Sequence, residues 1–335
     1  TRYGSITVLK NVDLNGDGDF SDTGETNVTD WTWKLNNDSG HSTNTTVGNL
    51  LPATYTVSEI QKDGYHVNKM SCRVTSGGAT TTDYGAVTSG DIILSAGQTF
   101  VCTFTNTRDT GTIELKKVWS GTPGQTTLNI GSAVGEGDIK TVQTGANGGI
   151  PLTTGQQVVP TGTYYLSESG GLNSYTKSPL SCFNDTNNNG VKEEIESLIT
   201  VGTDDDSVSV TTGDHIVCSY TNTRQQGTII VKKVMVGGTD TFTFTGTPSG
   251  TINTNEGTLS ATVDTGQYTV TEDGKTGWEL TSISCNDGGS QTPSTGDLTN
   301  RKATFNVEGG ETVTCTFTNT KYGSISGYKY KDKNG

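Results

Sequence analysis

The sequence predicts an all-β protein built from tandem β-sandwich domains, and three observations lead to this prediction. Thr supplies 63 of the 335 residues, and Thr favours strands and turns over helices. Polar and apolar residues alternate in short runs that turn residues interrupt roughly every 8–12 positions, as in hairpins. The same strand segments also recur in three copies, each of a length typical of a sandwich of about seven strands.

The composition argues against several classes of function. The chain carries 22 basic and 35 acidic side chains, and this net charge of −13 is unfavourable for binding nucleic acid or an anionic membrane surface. No segment approaches the roughly 20 apolar residues that a membrane helix needs. Three His residues and no clustered Cys leave little material for a zinc site or a His-dependent triad. We therefore do not expect an enzyme.

The internal repeats predict the domain organisation. A Cys-x-aromatic-Thr-Asn-Thr-basic segment occurs at 102–108, 218–224 and 315–321, and a Tyr-x-x-x-Glu segment occurs at 55–59, 164–168 and 268–272. We expect domains at 1–108, 109–224 and 225–321, with the start of a fourth at 322–335. Because residues 320–325 repeat the opening of the chain almost letter for letter, we expect that the sequence is a window of a longer protein.

The alternation of side chains places a Lys, a Glu and an Asn on the apolar face of strands in every copy. The three sets are Lys10, Glu59 and Asn106; Lys117, Glu168 and Asn222; and Lys233, Glu272 and Asn319. Burying a charge costs several kcal/mol unless it is paired or neutralised. An apolar site lowers the pKa of Lys and raises that of Glu, which favours a neutral, nucleophilic amine. The alternative is an ordinary polar cluster at the strand ends, with the Lys side chain reaching outward.

This ordered trio, present three times, resembles the prealbumin-like repeats of the Cna B type found in the stalks of bacterial surface adhesins and pili. The resemblance covers all three copies and implies Ig-like/prealbumin-like β-sandwich domains. In that family, a Lys of the first strand forms an isopeptide bond with an Asn or Asp of the last strand. A Glu assists, and ammonia leaves when the partner is Asn. The resemblance implies bonds from Lys10 to Asn106, Lys117 to Asn222 and Lys233 to Asn319. Glu59, Glu168 and Glu272 would be catalytic for this self-crosslinking alone.

Six Cys residues, two in each copy, indicate a second kind of crosslink. The predicted pairs are Cys72 with Cys102, Cys182 with Cys218, and Cys285 with Cys315. Disulfides would imply an oxidising, extracellular setting. The alternative is buried free thiols in a reducing compartment.

Two loops have the residue pattern of a calcium site, in which alternating Asp and Asn precede a Gly at the sixth position. The first contains Asp13, Asn15, Asp17, Asp22 and Glu25, and the second contains Asp185, Asn187, Asn189 and Glu196. A third would begin with Asp332 and Asn334, and the end of the chain resembles the calcium-binding B repeats of serine–aspartate-repeat adhesins. Calcium would make these loops rigid rather than take part in catalysis. The alternative is that they are ordinary turns.

These features predict a segment of an extracellular stalk or filament on a cell surface. Its partners would be the neighbouring repeats and other copies of the chain in a filament. The alternative is an adhesive module that recognises a protein or a glycan. That function requires an exposed aromatic or apolar patch in one repeat that the other repeats lack. Trp31 and Trp33 are the candidates, although both could equally fill the core.

Overall fold

The computed structural model describes residues 2–76, 80–331 and 333, and it confirms a nearly all-β chain. The first copy contains β1 (Gly4–Asp13), β2 (Thr32–Leu35), β3 (His41–Ser42), β4 (Thr45–Leu50), β5 (Ala53–Glu59), β6 (Tyr65–Val74), β7 (Thr81–Gly85), β8 (Ser89–Leu94) and β9 (Thr99–Arg108). They form two sheets with the strand orders β4-β1-β9-β6-β7 and β3-β2-β5-β8. The core lies between these two sheets.

The second copy follows the same plan with one more strand. It contains β10 (Thr110–Ser120), β11 (Thr127–Gly131), β12 (Lys140–Gln143), β13 (Gln157–Pro160), β14 (Gly162–Ser169), β15 (Tyr175–Lys177), β16 (Ser181–Asn184), β17 (Leu198–Ile199), β18 (Ser207–Val210) and β19 (His215–Arg224), with a 3₁₀ turn at Ala146–Gly148. One sheet has the order β13-β10-β19-β16-β17, with β15 also paired to β19, and the other has the order β12-β11-β14-β18.

The third copy contains β20 (Gln226–Val236), β21 (Phe242–Gly246), β22 (Gly250–Ile252), β23 (Thr258–Asp264), β24 (Gly266–Glu272), β25 (Trp278–Asn286), β26 (Thr295–Asp297), β27 (Lys302–Val307) and β28 (Thr312–Lys321). Its sheets have the orders β23-β20-β28-β25 and β22-β21-β24-β27-β26. Each copy therefore has more than the seven strands expected. The additional strands include pieces as short as β3 and β17, which span too few residues to give a recognisable alternation.

In every copy the first and last strands are parallel neighbours. Lys10 lies opposite Phe104, Lys117 opposite Tyr220 and Lys233 opposite Phe317. The Asn of each last strand stands two residues further along, on the same face as the residue opposite the Lys. One register therefore brings the Lys and the Asn together three times.

Trp31 and Trp33 lie in the core of the first copy, where they are 3% and 0% exposed. The Trp33 indole N–H donates to the Ser42 carbonyl oxygen at 3.1 Å. The two tryptophans share a face because they are two residues apart, and that face is the buried one. The two side chains therefore do not provide an exposed patch for the binding-module alternative.

Consecutive copies are joined by single residues, Asp109 between β9 and β10 and Gln225 between β19 and β20. The Asp109 N–H donates to the Gly64 carbonyl at 2.8 Å, and the Asp109 carbonyl accepts from the Thr161 N–H at 3.0 Å. The backbone of Gln225 makes the same two bonds, to Ser174 at 2.9 Å and from Thr265 at 3.0 Å. Each connecting residue is thus held by both copies that it joins.

The last part of the described chain, beyond Lys321, contains no strand. Asp332 and Asn334, where the sequence predicts a third calcium loop, lie outside the described residues. Among the described residues, no helix has the length and apolar character needed to cross a membrane.

All three predicted disulfides are present: Cys72–Cys102, Cys182–Cys218 and Cys285–Cys315. Each joins directly opposed residues of the last strand and its antiparallel neighbour, within the core of one copy. Because this neighbouring strand is tied to the last strand, the loop between the two Cys residues is closed covalently in both the folded and the unfolded state.

We expect that replacing both Cys285 and Cys315 by Ala lowers the free energy of unfolding of the third copy by about 3 kcal/mol, because the unfolded chain gains the entropy of a loop of about 30 residues. Hydrogen exchange of the β28 amides measures this change locally. The exchange of β9 amides in the same molecule is the internal control. A change below about 0.5 kcal/mol would contradict the prediction.

Candidate functional site

The structure brings each predicted Lys, Glu and Asn together between the two sheets of its copy. The Lys and the Asn belong to the first and last strands of one sheet, and the Glu comes from β5, β14 or β24 of the facing sheet. The Lys and Glu side chains of all three sets have no exposed surface, and the three Asn residues are also 0% exposed. An amine, a carboxyl group and a carboxamide therefore share one water-excluded site in every copy.

In the first site, Glu59 contacts both other members through different oxygens. The Lys10 ammonium donates to Oε2 at 2.6 Å, and the Asn106 Nδ2 donates to Oε1 at 2.7 Å. The Gln61 amide also donates to Oε1 at 2.6 Å. The Asn106 side-chain oxygen is buried and has no hydrogen-bond partner among the residues that the structure describes. This carboxylate lies between the amine and the amide nitrogen, where it can pass a proton from one to the other.

The second site is more loosely arranged. Lys117 Nζ lies 3.2 Å from Glu168 Oε2 and donates to the Tyr220 carbonyl at 3.1 Å. The Asn222 carboxamide makes no hydrogen bond within the described residues. Tyr220 takes the place of the Phe found in the other copies, and its hydroxyl donates to Asp206 at 2.6 Å. Burial, together with this bond to Asp206, raises the pKa of the Tyr220 hydroxyl.

In the third site, the Lys contacts the amide and not the carboxylate. Lys233 Nζ donates to Asn319 Oδ1 at 2.6 Å, whereas Glu272 Oε1 is 4.0 Å away. Glu272 Oε1 accepts from Asn319 Nδ2 at 2.8 Å and from Arg301 Nη2 at 3.2 Å. The Lys233 amine and the Asn319 carboxamide are therefore in direct contact.

Each Lys ammonium lies over an aromatic ring. The distances from Nζ to the ring centroid are 4.0 Å for Lys10 over Trp31, 4.6 Å for Lys117 over Trp119 and 4.2 Å for Lys233 over Phe242. Second rings pack against these, namely Tyr65, Tyr175 and Trp278. Sequence reasoning missed the first rings, which come from different elements. The second rings carried a signal, because each stands seven positions before the first Cys of its copy.

Burial makes each Lys easier to deprotonate. Desolvation lowers the pKa of Lys10 to about 8, although the Glu59 carboxylate opposes this shift. Desolvation lowers the pKa of Lys233 to about 8 as well, with Glu272 opposing and Arg301 adding to the shift. The pKa of Lys117 is lowered for the same reason. Desolvation also raises the pKa of Glu272, with Lys233 and Arg301 acting in the opposite direction. These shifts favour a neutral amine beside the carboxamide.

The two acidic loops follow equivalent hydrogen-bonding plans. In the first, Glu25 is 1% exposed and accepts the Leu14 N–H at 2.9 Å and the Asp22 N–H at 3.1 Å. In the second, Glu196 is 4% exposed and accepts the equivalent N–H groups of Thr186 and Glu193 at 2.8 and 3.0 Å. Glu25 and Glu196 therefore occupy the same structural position, although their spacing from the first Asp differs by one residue.

The first residues of the two loops also correspond. Asp13 accepts the Gly16 and Gly18 N–H groups at 2.6 and 3.0 Å, and Asp185 accepts those of Asn189 and Gly190 at 3.1 and 2.6 Å. Both Asp residues are 1% exposed. Buried carboxylates at both ends of a loop close it around its own backbone N–H groups.

A set of exposed side chains completes each loop. The Asn15 amide donates to Asp17 and Asp22, and the Asn187 and Asn189 amides donate to Glu193. Glu193, which sequence reasoning did not select, thus matches Asp22. Coulomb repulsion from Glu25, with further repulsion from Asp17 and Asp19, raises the pKa of Asp22.

The oxygen atoms of the two loops are of the kind that a hard cation prefers, but the carboxylates alone do not form a complete site. All these side chains present oxygen, which Ca²⁺ prefers, and a carboxylate oxygen that accepts one N–H retains a lone pair. In the described residues, however, no three His, Cys, Asp or Glu side chains converge on one point. Asn side chains and backbone carbonyls would have to complete the coordination.

Two family models, both described as a prealbumin-like fold domain, match this chain. One matches residues 6–108 and 229–321, and the other matches residues 117–224. Together they cover most of the sequence, so the chain belongs to the prealbumin-like fold domain family. No curated protein matches the chain at a significant level.

Solved structures with low sequence identity also match. The Bacillus anthracis TIE protein is 16% identical with a TM-score of 0.42, over 96% of this chain and 51% of that protein. The T-13 major pilin of Streptococcus pyogenes is 12% identical with a TM-score of 0.32, over 64% of this chain and 97% of the pilin. A Mobiluncus mulieris adhesin with disulfide, isopeptide and ester crosslinks is 9% identical with a TM-score of 0.24, over 95% and 99%. The chain spans about half the length of the TIE protein.

We expect the stability of the third copy to rise with pH in an Asn319→Ala variant, which keeps Lys233 as a separate side chain. The pKa of Lys233 falls from 10.5 to about 8 on folding, so the unfolded chain binds more protons between these two values. The free energy of unfolding should therefore increase over this window by up to about 3 kcal/mol. Denaturant unfolding at pH 7.5, 9 and 10 measures it.

The matched control is the double variant Lys233→Met and Asn319→Ala, in which the pH dependence from this group disappears. Equal slopes in the two variants would contradict the assignment of the shifted pKa to Lys233.

Proposed function

We propose that this chain is a segment of an extracellular stalk or filament in which an isopeptide bond between Lys and Asn closes each copy. The observation that carries the proposal is the threefold recurrence of one arrangement, in which a Lys and an Asn of the first and last strands meet a Glu in the core. Burying three such charged trios lowers the stability of the fold, which favours a further purpose for them. No external substrate is converted in this function.

The reaction uses only groups that lie in the site. The neutral Lys amine attacks the Asn side-chain carbonyl carbon, a bond from Nζ to Cγ forms, and the bond from Cγ to Nδ2 breaks. One proton moves from Nζ to the leaving nitrogen, which departs as ammonia. The Glu carboxylate contacts the leaving nitrogen in the first and third sites, at 2.7 and 2.8 Å, and relays this proton.

The position of the bond suits a load-bearing segment. The first and last strands carry the two ends of each copy, so tension along the chain acts on this parallel pair. A bond between them passes the force directly from one strand to the other, and the rest of the sandwich carries none. The single-residue connections at Asp109 and Gln225 keep successive copies close.

The remaining parts of the proposal concern location, partners and calcium. Three intact disulfides favour an oxidising, extracellular setting at a cell surface. The partners are the neighbouring repeats and other copies of the chain in a filament. We also propose that each acidic loop holds one structural calcium ion, with Asp13, Asn15, Asp17, Asp22 and Glu25 as ligand candidates in the first loop and Asp185, Asn187, Asn189, Glu193 and Glu196 in the second.

The bond predicts a deficit in intact mass. Each crosslink removes one ammonia, so the reduced, calcium-free chain should be lighter than its sequence by three units of about 17 Da. Lys10→Ala, Lys117→Ala and Lys233→Ala should each restore one unit. Mass spectrometry of the whole protein measures this.

The chain supplies matched controls in Lys116 and Lys232, which neighbour two of these lysines but face away from the core. Lys116→Ala and Lys232→Ala should leave the deficit unchanged. The unmodified mass in the wild-type chain would refute the proposed crosslinks.

Calcium should stabilise the first two copies and not the third. We expect isothermal titration to give two sites per chain, and Glu25→Ala and Glu196→Ala each to remove one, because these acids close the loops. At calcium 100-fold above its Kd, each loaded copy should gain about 2.7 kcal/mol. Glu279→Gln, an exposed substitution in the third copy, is the control, and unaltered binding in both loop variants would contradict the assignment.

A further inference from the structure

The first and third sites differ in the cation that accompanies the Glu. In the first, Lys10 is the direct partner of Glu59, at 2.6 Å. In the third, Arg301 is the partner of Glu272 at 3.2 Å, and Lys233 lies 4.0 Å from that carboxylate. The displaced Lys233 donates instead to the Asn319 side-chain oxygen at 2.6 Å. The two sites thus hold the same trio in different pairings.

Arg301 is positioned by the turn before β27. Its backbone carbonyl accepts the Glu272 N–H at 2.9 Å, and its Nε donates to the Glu272 carbonyl at 3.0 Å. The Arg301 guanidinium thereby donates hydrogen bonds to both the backbone carbonyl and the carboxylate of Glu272. In the first copy the equivalent residue is Thr88, whose carbonyl accepts the Glu59 N–H at 2.8 Å and whose side chain carries no charge.

In the second copy, no described residue makes the equivalent contact to Glu168. There β18 pairs with β14 only as far as Tyr165, and Asp206 bonds through its backbone to Leu166, two residues before Glu168. The comparison that isolates the role of the cation is therefore between the first and third copies.

We propose that Arg301 is a positioning residue for crosslinking in the third copy. It forms the ion pair with Glu272 and keeps that carboxylate in contact with the leaving nitrogen of Asn319. Lys233 can then contact the amide that it attacks. This inference rests on the proposed isopeptide function and adds a residue outside the Lys, Glu and Asn trio.

The charges around the site give the direction of the effect. Among the described residues, the charged groups that face Lys233 are Glu272 from β24 and Arg301 from the turn before β27. One carboxylate between two cations cannot neutralise both, and a guanidinium does not lose its proton in proteins. Lys233 is therefore the group that deprotonates, and removal of Arg301 would make its ammonium harder to deprotonate. In the first copy, the charged groups that face Lys10 are Glu59 and Lys62.

The test follows crosslinking of each copy against pH. The starting material is the full chain in unfolded form, before any copy has reacted. It is refolded by dilution at pH 6 to 10 and then digested. The loss of ammonia is thereby timed separately for peptides of the first and third copies. Arg301→Asn is the neutral variant, because Asn tolerates the positive φ of 54° at this position. Arg301→Lys keeps a cation.

We expect Arg301→Asn to raise the pH midpoint of crosslinking in the third copy by about one unit. At any fixed pH below the midpoint, the rate should then be about tenfold lower than in the wild-type chain. Arg301→Lys should restore most of the rate, and the first copy of the same molecules should not change. Thr88→Arg, at an exposed position, should lower the midpoint of the first copy, and this second test does not depend on the folding of an Arg301 variant.

The possible failures are distinguishable. If the third copy of the wild-type chain loses no ammonia at any pH, the proposed function fails and this inference fails with it. If the wild-type copy reacts and neither Arg301→Asn nor Thr88→Arg moves a midpoint, only the role of Arg301 is refuted. An equal shift in both copies of one variant would also refute it, because the effect would not be local.

Discussion

The parallel pairing of the first and last strands is the constraint on which the rest of each copy depends. Parallel strands cannot be joined by a tight turn and need a long connection, which here contains all the other strands of the copy. The pairing brings both ends of the copy onto neighbouring strands. It also sets the Lys and the Asn on the same inner face, where the opposite sheet supplies the Glu. The connectivity of the copy and the composition of its buried polar site therefore both follow from one register.

The apolar core of each copy is small, because only 29% of the chain is hydrophobic. Each copy nevertheless buries the side chains of a Lys, a Glu and an Asn among its apolar side chains. Breaking a buried ion pair by removing one partner typically costs 3–5 kcal/mol, so the trio tolerates little change once the sandwich has closed around it. The aromatic rings over the three ammonium groups contribute attraction to the cation while they exclude water.

The buried Glu carboxylate has different partners in each of the three copies. Glu59 is shared between Lys10 and neutral amides, and Glu272 is shared between Arg301 and Asn319. Within the part of the chain that the structure describes, Glu168 contacts Lys117 alone. The connections between copies are by contrast uniform, since Asp109 and Gln225 make the same two backbone bonds. Backbone geometry is thus kept from copy to copy while the charges around the carboxylate vary.

Local sequence was enough to predict the all-β class, the disulfide pairs and the burial of the trios. These properties follow from a period of two and from an internal comparison of three copies, and both are visible without long-range contacts. The same alternation distinguished Lys117 and Lys233 from their neighbours Lys116 and Lys232, which lie on the other face. Short edge strands such as β3 were not predicted, because two residues cannot show a period.

Other features were decided only by the tertiary structure. The sequence did not reveal that Trp31 covers Lys10, that Arg301 is the partner of Glu272, or that Glu25 and Glu196 occupy one position despite different spacing. These contacts join residues that no period relates. The Trp31 contact depends on how one sheet lies over the other, the Arg301 contact on the pairing of β24 with β27, and the Glu25 and Glu196 contacts on the backbone turns of their loops. Period and spacing determine which way a side chain faces, whereas the packing of the two sheets determines what it meets there.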